Sequence, residues 1–340
     1  MTPTPTAANV PSSTWRIGRR MLRGIGRTLA ALVGLIVVLG LVGASYEAIA
    51  AAGDAGRYPA PGQLIDVGGY RLHIQCVGTG SPTVVLDAGL GGSSLDWSLV
   101  QPELGRSTRV CAYDRAGMGW SDPSPRPRTP RQIADELHML LTKAGIAGPY
   151  LLVGHSLAGK NVRLFALQHP DQVAGMVLVD ARSEYVDANT SPAEAQAFQR
   201  ASAAQAILYR LARGVGLVRL IGASLWGGPA MPRATRTEGM LLTTSPRAVD
   251  AQTAEALERA ADDAQLQAAP SLGDRPLIVL AAEQNMTGTP YWAEAQRRLA
   301  ALGTNGRLIV PAGSVHYIHW EQPALAIDAV RRAIEDARSR

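Results

Sequence analysis

Apolar positions follow three different rhythms along this chain. From Thr28 to Tyr46, nineteen residues pass without a charge (TLAALVGLIVVLGLVGASY). As a helix at about 1.5 Å per residue, that run covers roughly 28 Å, close to the hydrocarbon thickness of a bilayer. After a Gly/Pro-rich stretch (GDAGRYPAPG, residues 53–62), short apolar runs read as strands: Gln63–Val67 and Tyr70–Val77 around the Gly68-Gly69 turn, Thr83–Asp87, Thr108–Tyr113, Tyr150–Val153 and Ala174–Asp180. Between them lie stretches of helical spacing. Arg131–Ala144 places Ile133, Leu137, Leu140 and Leu141 on one face, and Leu157–His169 stops at Pro170. Residues 183–270 then show helical spacing without a strand. The alternation returns with strand Pro276–Ala281, helix Tyr291–Leu302, strand Arg307–Val310 and helix Pro323–Ala337. Strands alternating with helices predict an α/β domain whose mainly parallel sheet is covered on both faces. Residues 63–182 and 271–340 form that core, and 183–270 are a helical insertion expected to cap the C-terminal edge of the sheet.

Charge refines the N-terminal picture. Residues 1–14 are Thr-, Pro-, Ser- and Ala-rich and read as a disordered tail. Residues 15–27 carry Arg16, Arg19, Arg20, Arg23 and Arg27, and 28–50 read as a transmembrane or signal-anchor helix followed by a linker over 51–62. Ala48-Ile49-Ala50 has the small residues of a signal-peptidase site, but the apolar run exceeds the usual 7–15 residues of a signal's hydrophobic region, which favours an uncleaved anchor. Positive charge before the span keeps the N-terminus cytoplasmic and the body outside, periplasmic or extracellular, or secreted if the segment is cleaved. The net charge is +5, of which residues 1–50 hold +4. A body at +1 has no phosphate-tracking field, which argues against nucleic acid as a partner. In an oxidising compartment the only two cysteines, Cys76 and Cys111, are expected to pair.

The chemistry gathers around Val153-Gly154-His155-Ser156-Leu157-Ala158-Gly159, at a strand-to-helix junction. Such a turn lifts a Ser hydroxyl above the sheet, and small neighbours let strand and helix backbones approach. Ala158 occupies the last Gly position of G-x-S-x-G. With DAGLGG after an early strand, YDRAGMGWSD after the next and GSVHYIHWEQP near the end, the chain over roughly 63–335 resembles the α/β-hydrolase superfamily.

That resemblance implies Ser156 as nucleophile and His316 as base, with His319 the rival; His319 is otherwise read as a polar cap of the last helix. His155, at the variable position of the elbow, is expected to point away from the site. The backbone N–H groups of Leu157 and Leu90 are the implied oxyanion donors. Where many members carry the acid, after the strand following the insertion, this chain has Asn285, and an amide cannot stabilise an imidazolium as a carboxylate does. Other members carry it one strand earlier, which selects Asp180, with Glu283, Glu184 and Asp187 as alternatives. The family's sheet order also makes the strands of Cys76 and Cys111 neighbours. The expected activity is hydrolysis of an ester or related acyl bond in a small-molecule or lipid-like substrate. Acyl transfer, peptide hydrolysis and a non-catalytic binding member stay open; epoxide hydrolase and dehalogenase chemistry, which uses Asp at the nucleophile position, is disfavoured. No cofactor or metal is implied, since no His/Cys/carboxylate cluster has ligand spacing.

Overall fold

The computed structural model describes residues 13–288 and 290–340. The expected tail, residues 1–14, lies outside them except for its last two positions. Strands β1 (Gln63–Asp66), β2 (Arg71–Val77), β3 (Thr83–Asp87), β4 (Val110–Tyr113), β5 (Tyr150–His155), β6 (Val173–Val179), β7 (Leu277–Leu280) and β8 (Arg307–Ile309) form one sheet in the order β1-β2-β4-β3-β5-β6-β7-β8. β1 and β2 pair antiparallel, as do β2 and β4, and the strands from β4 through β3 to β8 run parallel. Every residue of β3, β4 and β5 is buried, as a strand covered on both faces requires.

Helices α3 (Pro130–Lys143) and α4 (Ala158–Gln168) cover one face of the sheet and α14 (Pro323–Arg338) the other, with α2 (Gln101–Leu104) beside it. Their starts are written locally. Thr129 caps α3 by accepting a hydrogen bond from Gln132 N, and Pro stands in the first turn of α3 and of α14, where its missing N–H costs nothing.

Between β6 and β7 the chain forms α5 (Glu184–Ala188), α6 (Pro192–Gly214), α7 (Leu217–Ile221), α8 (Arg233–Thr243), α9 (Pro246–Glu258) and α10 (Asp263–Gln267). A small core of Val218, Trp226, Met231, Met240 and Leu241 holds this insertion together and packs on Leu95 and Leu99, in the loop after β3. α9 approaches Gly91 through Gln252 and Gly117 through Ala251. The insertion therefore sits against the loops that leave the C-terminal ends of β3 and β4.

Helix α1 departs from expectation. It runs unbroken from Ser13 to Arg57, through the basic segment and most of the expected linker, so only residues 58–62 connect it to β1. Met21 to Leu39 are exposed, and the stretch Met21–Arg57 is long and apolar enough to cross a membrane. The C-terminal part continues as helix because it packs: Glu47 is buried, and Glu47 and Asp54 receive the guanidinium of Arg219 at 2.5 and 2.6 Å. Within the sheet Cys76 faces Cys111 across the β2–β4 register and the two are joined in a disulfide.

Candidate active site

Four loops leave neighbouring strands at one sheet edge and converge. Ser156 follows β5, Asp180 follows β6, Asn285 lies in α11 (Glu283–Gly288) after β7, and His316 follows β8. The carboxyl ends of parallel strands are where open α/β sheets place ligands.

Ser156 stands at φ 52°, one of two non-Gly residues with positive φ among the described residues; Asp180, at φ 41°, is the other. Such backbone costs on the order of 1–3 kcal/mol per residue and persists only where the surroundings hold it. Ser156 N donates to Val179 O at 3.1 Å, Asp180 N to Leu280 O at 2.7 Å, and Arg182 N to Ser156 O at 2.8 Å. Close packing explains the small residues. A Cβ on Gly154 would lie 2.8 Å from Ala158 O, and one on Gly159 2.5 Å from Ala181 Cβ. After Leu157 the position that cannot take a methyl group is thus Gly159, and Ala158 is simply buried.

His316 Nε2 lies 3.0 Å from Ser156 Oγ, and Nδ1 lies 2.6 Å from Asp180 Oδ2. The His316 side chain is 31% exposed while that of Asp180 is fully buried, so the pair is wet at one end only. Asn285 Nδ2 donates to Asp180 Oδ2 at 2.5 Å and sits 3.4 Å from His316 Nδ1. Trp292 Nε1 and Ala282 N donate to Oδ1 at 3.0 and 3.1 Å. Four donors therefore surround one carboxylate, two on each oxygen. The alternative acids stand elsewhere: Glu283 accepts from Gly313 N, Glu184 pairs with Arg163, and Asp187 pairs with Lys160, Arg182 and Arg259.

Two histidines depart from expectation. His155 does not point away: its ring centroid is 4.7 Å from that of His316, and its Nε2 lies 3.0 Å from the His316 carbonyl oxygen. A carbonyl only accepts, so that nitrogen carries the proton and the bond fixes the backbone from which His316 projects. His319 is not a surface cap. It is fully buried between Trp97 and His155, with centroids 4.5 Å from each. Burial lowers the pKa of both: His155 well below the usual imidazole value, with His319 and His316 adding to the effect, and His319 to about 3. These rings stay neutral, and neither reaches the hydroxyl that His316 reaches.

The loop after β3 lies beside the serine. A Cβ on Gly89 would come within 3.2 Å of Ser156 Cβ and 2.7 Å of His155 Nδ1, so the Gly-rich loop packs directly on the serine. Leu157 caps α4 at its N-terminus, where backbone N–H groups and the helix dipole favour negative charge. Sequence reasoning passed over Arg115, of the DRAGMG segment. It donates to Asp87 at 2.7 Å, to the carbonyls of Ala88 and Gly89 at 2.5 and 2.7 Å, and to both oxygens of Glu255 on α9 at 2.8 and 2.9 Å. Burial opposes its charge, but Glu255 and Asp87 outweigh that and raise its pKa. This one buried guanidinium ties the Gly-rich loop to the insertion.

The sequence model of the alpha/beta hydrolase fold matches residues 82–323. The chain belongs to that family. A protein of Schizosaccharomyces pombe whose own role is uncharacterised is 32% identical over 285 residues, 73% of this chain and 50% of the relative's length. The α/β-hydrolase chain described here spans half or less of the length of the first curated relatives it matches. A thermophilic esterase from Thermogutta terrifontis superposes with a TM-score of 0.61 at 24% identity, over 79% of this chain and 94% of its own. The epoxide hydrolase CorEH does so with a TM-score of 0.60 at 20% identity, over 80% and 97%. At such identities the two structures speak for the α/β-hydrolase fold alone.

Proposed function

We propose that this α/β hydrolase is a membrane-anchored serine hydrolase that cleaves an ester or related acyl bond in a small-molecule or lipid-like substrate. The observation that carries the reading is the relay Ser156 Oγ, His316 and Asp180 at 3.0 and 2.6 Å, with the serine on a positive-φ turn. Because Asp180 accepts from Nδ1–H, His316 presents an unprotonated Nε2 to the hydroxyl, the tautomer a general base needs. His316 takes the Oγ proton as Oγ attacks the acyl carbon. The N–H groups of Leu157 and Leu90 receive the developing oxyanion, each contributing about 2.7–4 kcal/mol to the transition state. His316 then protonates the leaving group, and acyl-Ser156 remains. Water, deprotonated by the same nitrogen, releases the acid and regenerates the hydroxyl.

The insertion acts as the cap of this site, and α1 is an uncleaved anchor with the hydrolase outside. Cleavage after Ala50 would remove Glu47 and leave Arg219 and Arg213 with only Asp54, which argues for retention.

A fluorophosphonate probe tests the chemistry. The intact protein should label at Ser156 and hydrolyse a panel of p-nitrophenyl esters, and Ser156→Ala should do neither. Labelling and turnover that survive Ser156→Ala would refute the assignment.

A further inference from the structure

We propose that the outward face of α6 and α7 lies in the outer leaflet of the bilayer that α1 crosses, so that the cap is seated in lipid. The inference rests on reading α1 as the membrane anchor.

The geometry starts at Gly43. In the C-terminal part of α1 the residues turned toward the globule include Gly40, Gly43, Glu47, Ala50 and Asp54, a spacing of three and four that marks one helix face. A Cβ on Gly43 would lie 2.1 Å from the carbonyl oxygen of Val215, and one on Gly216 2.9 Å from that of Gly43. The α6–α7 turn and α1 therefore touch backbone to backbone. Gly43 is sixteen residues beyond Arg27, roughly 24 Å along the helix axis, whereas the hydrocarbon core is about 30 Å thick. With Arg27 at the cytoplasmic boundary, Gly43 is still at the level of the acyl chains, and tilt only deepens it. Val215 and Gly216 are held at that same level.

The chemistry of the face suits that depth. Leu208, Leu211, Leu220 and Leu225 are 62%, 64%, 70% and 69% exposed, with Val215 and Ile221 beside them. Between residues 208 and 225 the cations are neutralised where they stand, Arg210 by Asp250, and Arg213 and Arg219 by Glu47 and Asp54; exposed Arg200 lies two turns further toward the start of α6. Apolar side chains with paired charges are what an interfacial helix needs, and water leaves such a patch uncovered.

The face also lies close to the chemistry. Tyr209, on the inner side of α6, packs against the same small core as Trp320, which stacks on Tyr317 at 4.1 Å, and Tyr317 lies 5.3 Å from the His316 ring. Helix α6, roughly 10 Å across, and the Trp320–Tyr317 stack separate lipid from site. The substrate class this favours is an acyl compound that partitions into the bilayer and enters beneath the cap.

The test uses the full chain in liposomes, with single cysteines carrying an environment-sensitive dye at Leu35, Leu211, Leu220 or Asn305; the native cysteines are occupied by their disulfide. Lipids bearing a doxyl quencher high on the acyl chain are then added. Leu35 reports on the anchor, and exposed Asn305, beside the β8 edge, is the reference. Quenching at Leu211 and Leu220 severalfold above Asn305, with Leu35 also quenched, supports the seating. If Leu35 is quenched but Leu211 and Leu220 match Asn305, the seating is wrong and the anchor stands. If cross-linking then joins Leu211→Cys of two copies, a second chain covers the face instead. An unquenched Leu35 overturns the anchor and the seating together.

Discussion

If Asp180 is the acid, its role should be transferable to position 285. Its carboxylate accepts from four donors, two on each oxygen. An amide at 180 has only one oxygen, and the side it takes decides the chemistry. Ala282 N and Trp292 Nε1 cannot turn into acceptors, so the oxygen must remain with them. The NH2 group then faces Asn285, whose amide can flip to accept, and His316 Nδ1, which must give up its proton to accept as well. His316 is left as the Nε2–H tautomer, a donor to Ser156 and not a base. Asp180→Asn should therefore lower kcat by on the order of 10⁴-fold. The fold should survive, because this arrangement pairs every donor, and exchanging a charge-assisted bond for a neutral one costs only about 1 kcal/mol each. Adding Asn285→Asp restores a carboxylate that accepts from both the new amide at position 180 and His316 Nδ1–H, since residue 285 already stands 3.4 Å from that nitrogen. That distance must shorten by a few tenths of an ångström, and a misplacement of this order costs up to about 10²-fold. The double variant should thus recover to within about 10²-fold of the parent, measured as kcat on a soluble ester and as rate of probe labelling. A double variant no faster than Asp180→Asn, or an Asp180→Asn protein of full activity, would refute the reasoning.

Gly89→Ala should lower kcat by about 10²–10³-fold with little change in melting temperature, because the added methyl displaces the loop offering Leu90 N–H; unaltered kcat would separate this loop from the oxyanion. Acid should destabilise the fold through the neutral histidines. Both have folded pKa values below the unfolded value of about 6.5, so they leave stability untouched above that pH and oppose folding as pH falls beneath it. With its folded pKa at about 3, His319 alone accounts for about 2 kcal/mol at pH 5. His73 works in the opposite direction: burial lowers its pKa, but Asp114 and the Pro61 carbonyl together raise it more. Comparing parent and His319→Phe by thermal unfolding at pH 7.5 and 5.0 isolates the His319 share, and equal losses in both proteins would contradict it. Arg115→Lys should lower kcat and loosen the insertion, seen as faster proteolysis at its helices, since an ammonium cannot reach Asp87, the Ala88–Gly89 carbonyls and Glu255 at once.

What the sequence disclosed and what it concealed divide by range. Buried parallel strands, the amphipathic α3 and the elbow around Ser156 are local, because they depend on periodicity and on small residues at fixed offsets. The arrangement around Asp180 is not local. Asn285 reads as a lost acid only while its partners are unknown; in space it is a donor to Asp180, one strand earlier. The fate of α1 shows the same limit with a different cause. Gly53 and Gly56 argue for a linker on propensity, at a cost of about 1 kcal/mol each within a helix. What overrides them lies far off in the chain, in the guanidinium groups of Arg213 and Arg219. A chelated pair of arginines between two acidic residues on one helix face outweighs two glycines that touch nothing. Helix α1 therefore reaches the globule unbroken, and under the proposed anchoring the direction in which it leaves fixes which face of the proposed cap meets the bilayer.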